Sequence, residues 1–174
     1  MIRTCIIGAE NSSDINIPNE PFPLSGRIVP SLSEGQWSYR VERSEAVTEM
    51  CFPDEHYDYD EMSKDCVFLG AYDEDRCIGL AVLRQGMFRY MYLEDLKVSR
   101  AYRGKGTGRA LISAAGKIAV SAGYRGLYTI GQDNNLNACL FYLACGFRIG
   151  GFDNEVYKGT SQEGKADIFF YLDC

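Results

Sequence analysis

Residues 96–111 read Leu-Lys-Val-Ser-Arg-Ala-Tyr-Arg-Gly-Lys-Gly-Thr-Gly-Arg-Ala-Leu. A strand ends there, a glycine-rich turn follows, and an amphipathic helix begins. Gly104, Gly106 and Gly108 let backbone N–H groups approach an anion without interference from a Cβ. The helix N-terminus adds unpaired donors and partial positive charge, with Thr107 among its first residues. Arg103 and Lys105 add full charges. Such a segment makes a diphosphate cradle built mostly from backbone; taken alone, it also reads as a purely structural turn. Two nucleotide patterns fail on spacing. A Walker A loop needs Gly-Lys-Ser/Thr, and Lys105 is followed by Gly106. A dinucleotide fingerprint needs Gly-x-Gly-x-x-Gly, and Gly104-x-Gly106 is followed by Gly108 and Arg109.

The elements around the cradle follow from periodicity and turn residues. Cys66–Tyr72, Cys77–Leu83 and Arg89–Val98 read as strands with short connections, hence an antiparallel meander. Gly106 to Ala122 reads as a helix whose buried face carries Leu111, Ile112, Ala115, Ile118, Ala119 and Ala122, with Gly123 as its stop. Gly126–Ile130 is a short strand. Asp133-Asn134-Asn135 offers capping side chains to a second helix running to about Cys145, ended by Gly146. Ala138, Phe141, Tyr142 and Cys145 would share one face of it. Phe147–Phe152 and Ala166–Leu172 complete the strands. Upstream, residues to about Ser25 read as a loop or extended arm, because Pro18, Pro21 and Pro23 oppose a helix. Gly26–Pro30 and Trp37–Val41 read as two short strands around a Ser/Gly turn. The fold class is α+β in one domain of 174 residues: a central mixed, mostly antiparallel twisted sheet flanked by helices.

Residues 44–64 combine a possible helix start with an acidic run, Asp54, Glu55, Asp58, Asp60 and Glu61, interleaved with Tyr57 and Tyr59. It is either a solvated face or a lip that attracts a polycation.

Arg103-x-x-Gly106-x-Gly108 resembles the diphosphate motif of the GNAT superfamily of acetyltransferases. Asn135-x-x-Ala138-x-x-Phe141-Tyr142-x-x-x-Gly146-Phe147 resembles that superfamily's second signature. Over nearly the whole chain the sequence is similar to streptothricin acetyltransferases, notably at Glu20-Pro21-Phe22, Gly26–Pro30, Tyr92–Leu96, Gln132–Leu136 and Lys165–Leu172. The resemblance implies a GNAT fold and direct transfer from acetyl-CoA, without a metal, to an amine of streptothricin's β-lysine part. The partner would be a small cationic amine. A protein or polyamine acetyltransferase, or a non-catalytic acyl-CoA-binding module, shares the same cofactor features.

The resemblance also assigns roles. Arg103, Gly104, Lys105, Gly106, Thr107 and Gly108 would bind the diphosphate, and Leu96 and Val98 would offer backbone partners to the pantetheine amides. Asn135 and Tyr142 sit on the helix flanking the pantetheine arm, and Tyr142 would be the general acid for the leaving thiolate. An alkyl amine with a pKa near ~10.4 is unprotonated in only about one molecule in 2,500 at pH 7, a handicap of roughly 4.6 kcal/mol. A nearby carboxylate is therefore useful as base or anchor. Glu94 is the candidate, with Asp95 the fallback; Glu94 could instead pair with a surface cation. The two-residue strand period places Tyr92, Glu94, Leu96 and Val98 on one face and Asp95 on the other. Asp58 and Asp60 would contact the cationic substrate.

Composition narrows the alternatives. A net charge of -6 argues against nucleic acid as partner and suits a cationic substrate. Seven Cys with no Cys-x-x-Cys pair and a single His, His56, read as reduced thiols rather than a zinc site or disulfide framework. No apolar run approaches a membrane span, and the N-terminus has no signal-like apolar stretch, so a cytoplasmic protein is expected. A homodimer is compatible with the sequence.

Overall fold

The computed structural model describes residues 2–86 and 88–174. In chain order the elements are β1 (Arg3–Ile6), a 3-10 helix (Ala9–Asn16), β2 (Phe22–Ser33), β3 (Gln36–Met50), α1 (Tyr59–Met62), β4 (Cys66–Asp73), β5 (Arg76–Arg84) and β6 (Tyr90–Val98). A 3-10 turn (Arg100–Tyr102), α2 (Thr107–Ser121), β7 (Gly126–Gln132), α3 (Leu136–Ala144), β8 (Arg148–Asp153) and β9 (Asp167–Asp173) follow. Seven strands form the mixed sheet, and β2 and β3 form a separate hairpin. The chain divides into two compact units: residues up to 20 with 51–127 and 174, and residues 21–50 with 128–173.

In the first unit the strand order is β1-β4-β5-β6, with every neighbouring pair antiparallel. β4 and β5 are buried along almost their whole length, which suits their near-continuous apolar sequence. α2 lies on β4, β5 and β6 and buries Leu111, Ile112, Ala115 and Ala119. Ala122, expected on that face, is exposed because the helix has ended: it is the C-cap, and Gly123 follows at φ +87°. Gly79 allows the closeness of α2 to the sheet, since a Cβ there would stand 3.1 Å from Leu111 Cδ1 and 3.2 Å from the Lys97 carbonyl oxygen.

The opening stretch differs from a loop or arm. β1 pairs with β4, and the 3-10 helix places Ile15 in a core with Ile7, Cys66, Phe68, Leu80 and Val82. The prolines all follow that helix and do not interrupt it. Residues 44–64 likewise hold no long helix: β3 runs on to Met50, and α1 is a single turn.

In the second unit the strand order is β7-β9-β8. The β2–β3 hairpin is longer than expected and closes at Glu34 and Gly35, both at positive φ (51° and 76°), as a two-residue turn between twisted strands requires. α3 lies against β2 and buries Leu136, Cys139 and Tyr142 most deeply. The expected face of Ala138, Phe141, Tyr142 and Cys145 is rotated: only Tyr142 of those four is buried. A helix that is apolar around most of its circumference gives periodicity little to fix the phase.

Candidate active site

The cradle begins where β6 ends. Ser99 N–H donates to the Ile78 carbonyl at 2.9 Å, and Tyr102 and Arg103 close the 3-10 turn through N–H bonds to Ser99 and Arg100. Gly104 and Gly106 then take positive φ, 73° and 89°, which places the start of α2 directly after the turn. No atom stands within 4 Å of where a Cβ would be at either glycine. That open space is what a diphosphate needs to reach the backbone donors, so the residues present fit the group. Thr107 is buried, and its hydroxyl donates to the Tyr102 carbonyl at 3.3 Å. Lys105 Nζ lies 5.6 Å over the Tyr102 ring.

Arg103 is held from two sides: Nε donates to the Val98 carbonyl at 2.9 Å, and Nη2 stands 3.6 Å from the Glu20 carboxylate. The Arg100 N–H donates to that same carboxylate. Glu20 therefore sits at the cradle as its protein-borne anion. Its place in the Glu20-Pro21-Phe22 stretch was the available sequence signal, but no role followed from it.

β6 carries an extra residue. Val82 faces Asp95 while Leu83 faces Leu93, so Glu94 has no partner on β5. This bulge breaks the two-residue period, and the single face expected for Tyr92, Glu94, Leu96 and Val98 does not run through it. The two adjacent carboxylates meet different surroundings. Glu94 is gripped by Arg84, whose Nε and Nη2 donate to it at 2.8 and 3.3 Å. Asp95 is one-fifth exposed and lies 3.2 Å from Lys97 Nζ. The Tyr57 hydroxyl donates to Asp95 Oδ2 at 3.2 Å.

Lys97 also donates to Glu55 at 2.5 Å and lies 5.8 Å from the centre of the Tyr57 ring. Burial pushes the Asp95 carboxyl above the usual carboxylate range, and the Glu55 charge adds to this against the opposing pull of Lys97. Burial acts on Glu55 in the same direction, but hydrogen bonds from Lys97 and Asn19 outweigh it and hold that group low. Burial, with the charges of Asp95 and Glu55, raises Tyr57 and keeps it a hydrogen-bond donor. Asp95 thus accepts a proton more readily than an ordinary aspartate, and its carboxylate can hold a cation.

The acidic run meets this cluster through residues that the substrate assignment did not choose. Asp58 caps α1 by accepting the Glu61 N–H at 3.0 Å, and Asp60 is exposed. Glu55 and Tyr57 reach Asp95 and Lys97 instead. Tyr57 and Tyr59 anchor the segment against Phe68, with ring centres 6.1 and 6.0 Å away.

In the second unit, Tyr142 is packed edge-on against Phe141 and Phe147 and tilted against Phe170, at 5.6, 5.4 and 5.5 Å. Asn135 Oδ1 caps α3 by accepting the Ala138 N–H at 3.3 Å, which leaves its amide N–H groups for a ligand. Burial pushes the Cys139 thiol up to about 12, and its S–H donates to the Gln132 carbonyl at 3.3 Å, so it is no nucleophile at neutral pH. Among the described residues no His, Cys, Asp or Glu cluster could hold a metal ion.

Residues 32–147 match the acetyltransferase (GNAT) family. Streptothricin acetyltransferase A of Bacillus subtilis (strain 168) is 36% identical over 163 residues, covering 92% of this chain and 94% of its own. A streptothricin acetyltransferase of Escherichia coli is 34% identical over 112 residues, 64% of either chain. The crystal structure of a candidate streptothricin acetyltransferase from Bacillus anthracis str. Ames, in complex with acetyl coenzyme A, superposes with a TM-score of 0.90 at 29% identity, covering 100% of both chains.

Proposed function

We propose a substrate for a chain that belongs to the acetyltransferase (GNAT) family: it transfers an acetyl group from acetyl-CoA to an amine of streptothricin. The observation that carries this reading is the similarity to a streptothricin acetyltransferase along 92% of the chain. The acidic, tyrosine-bearing cluster at Asp95 supports it, because the substrate arrives as a cation.

Acetyl-CoA supplies a thioester, whose carbonyl carbon is the electrophile. The amine nitrogen forms the new C–N bond, the C–S bond breaks, and the ammonium loses two protons: one passes to solvent as the amide forms, and one must leave before the attack. Asp95 takes that proton, directly or through water, and its raised pKa brings it nearer to the working pH than an ordinary aspartate. Tyr142 gives its phenolic proton to the departing thiolate and recovers one from solvent. Glu94, held by Arg84, orients the ammonium before it is deprotonated. The cradle from Arg103 to Gly108 binds the diphosphate through backbone N–H groups, and Glu20 withdraws from Arg103 when it arrives. Seven free thiols suit a reducing cytoplasm.

The test is release of free CoA from acetyl-CoA with streptothricin, beside spermidine, kanamycin and an N-terminal peptide. Strong turnover with streptothricin alone is expected. Turnover with one of the other amines instead would keep the enzyme class and overturn the substrate.

A further inference from the structure

Gln132 ends β7, and its neighbours fix the direction of its amide. The Tyr157 hydroxyl donates to Asp167 Oδ1 at 2.8 Å, so the Tyr157 oxygen is left to accept. Gln132 Nε2 donates to that oxygen at 2.8 Å. Its second N–H goes to Gln162 Oε1 at 3.0 Å, which also accepts from Lys165 Nζ at 3.1 Å. Turning the amide over would set one carbonyl oxygen against another. Both N–H groups are thus committed and Oε1 has one available position. In that position it is buried and meets no donor among the described residues. Asn134 Oδ1, two residues along, is buried in the same condition.

A buried acceptor without a donor carries its full desolvation cost, and native proteins keep few of them. Here two occur within three residues, immediately before the Asn135 cap. One is aimed by the bonds that Gln132 makes to Tyr157 and Gln162. Behind it, burial pushes the Asp167 carboxyl up against the opposing bond from Tyr157, with the charges of Asp153 and Asp133 adding to the rise. A network oriented in advance, with its last acceptor open, is what a donor-bearing ligand completes.

We infer that Gln132 and Asn134 are substrate-binding residues, whose amide oxygens accept hydrogen bonds from N–H donors of the substrate other than its reacting ammonium. This deepens the proposed function and rests on it for the nature of that substrate. A neutral oxygen takes an N–H donor without demanding a full charge, so it recognises the body of a large polar molecule rather than its ammonium group alone. Amines lacking such a body leave both oxygens unpaired, and sites built to hydrogen-bond a group reject analogues without it strongly. Tyr157 is a positioning residue that acts through the Gln132 amide.

The test is calorimetric titration of the CoA-saturated protein with streptothricin, with acetyl-CoA affinity measured separately on the free protein. Gln132→Met removes the oxygen at similar volume. It is expected to weaken streptothricin about 10- to 100-fold and leave acetyl-CoA affinity within about twofold. Asn134→Ala and Tyr157→Phe are expected to weaken streptothricin less, in the same direction, and they carry the test if Gln132→Met does not melt cooperatively. Unchanged streptothricin affinity in folded variants overturns the inference, as does a loss confined to acetyl-CoA, which would assign the oxygens to the pantetheine amides. Wild-type protein that binds streptothricin without acetylating it refutes the proposed reaction and leaves this site standing. Wild-type protein that does not bind it overturns both.

Discussion

Arg84 spends two hydrogen bonds on Glu94, while Asp95, one position along, sits among Lys97, Tyr57 and Glu55 and is pushed toward its neutral form by burial. The difference sets what each carboxylate does. Asp95→Asn is expected to lower kcat/KM by about 10²–10⁴, the range for loss of a positioned base. Glu94→Gln is expected to cost less than about tenfold, mostly in the amine KM, as for an exposed anchor. Steady-state kinetics on both variants separates them; equal losses would return the base role to Glu94. The pH profile follows from the direction of the shift. Asp95 is active as its carboxylate, so kcat/KM should fall with decreasing pH at a value above the ~3.9 of an ordinary aspartate, and Asp95→Asn should remove that limb. For stability the signs of the two acids oppose. The raised Asp95 favours the folded state below its unfolded pKa and loses that contribution as pH rises through its folded value. The lowered Glu55 contributes above its unfolded pKa and loses this as pH falls through its folded value. Tyr142→Phe keeps the contacts of the ring with Phe141, Phe147 and Phe170 and removes only the hydroxyl. It should lower kcat by about 10²-fold with the acetyl-CoA KM unchanged; an unchanged kcat would end the acid assignment.

The cradle depends on how α2 is seated on β5, and two glycines serve it differently. At Gly79 the neighbours are close: Leu111 Cδ1 at 3.1 Å, the Lys97 carbonyl at 3.2 Å and Thr107 Cγ2 at 3.4 Å. Gly79→Ala should destabilise the protein by about 1–3 kcal/mol through overpacking. It should also raise the acetyl-CoA KM, because the displaced atoms belong to the strand and the helix start that frame the cradle. Thermal melts and KM values check this together, and a normal melt would mean that α2 yields without strain. At Gly106 there is room for a side chain, but φ is +89°. Gly106→Ala should therefore cost about 1–2 kcal/mol from the backbone alone. The β6 bulge is the other element-scale device: one extra residue turns an alternating strand into a site where neighbouring carboxylates have separate environments.

For the molecule as a whole, acetyl-CoA binding to the folded state should stabilise it by about 2.7 kcal/mol at a hundredfold excess over Kd. For a chain of this size that is a rise in Tm of about 5–10 °C. Differential scanning measurements check it, and no rise would contradict a preformed cradle. The sequence by itself determined the features that rest on local chemistry. The glycines of the cradle, the meander of β4 to β6, the existence of α2 with Gly123 as its stop and a cap for α3 within residues 133–135 each follow from a few adjacent residues with fixed periods or φ requirements. Tertiary structure decided what depends on distant partners. Ile7 and Ile15 are core residues only because β1 pairs with β4. Glu55, rather than Asp58 or Asp60, meets Lys97 across 42 residues of chain. The bulge at Glu94 exists only in register with β5, and the Gln132 amide takes its direction from Tyr157 and Gln162. The physical reason is common to all of these: pairing and burial set hydrogen-bond partners and desolvation, and neither is encoded in the spacing of neighbouring residues.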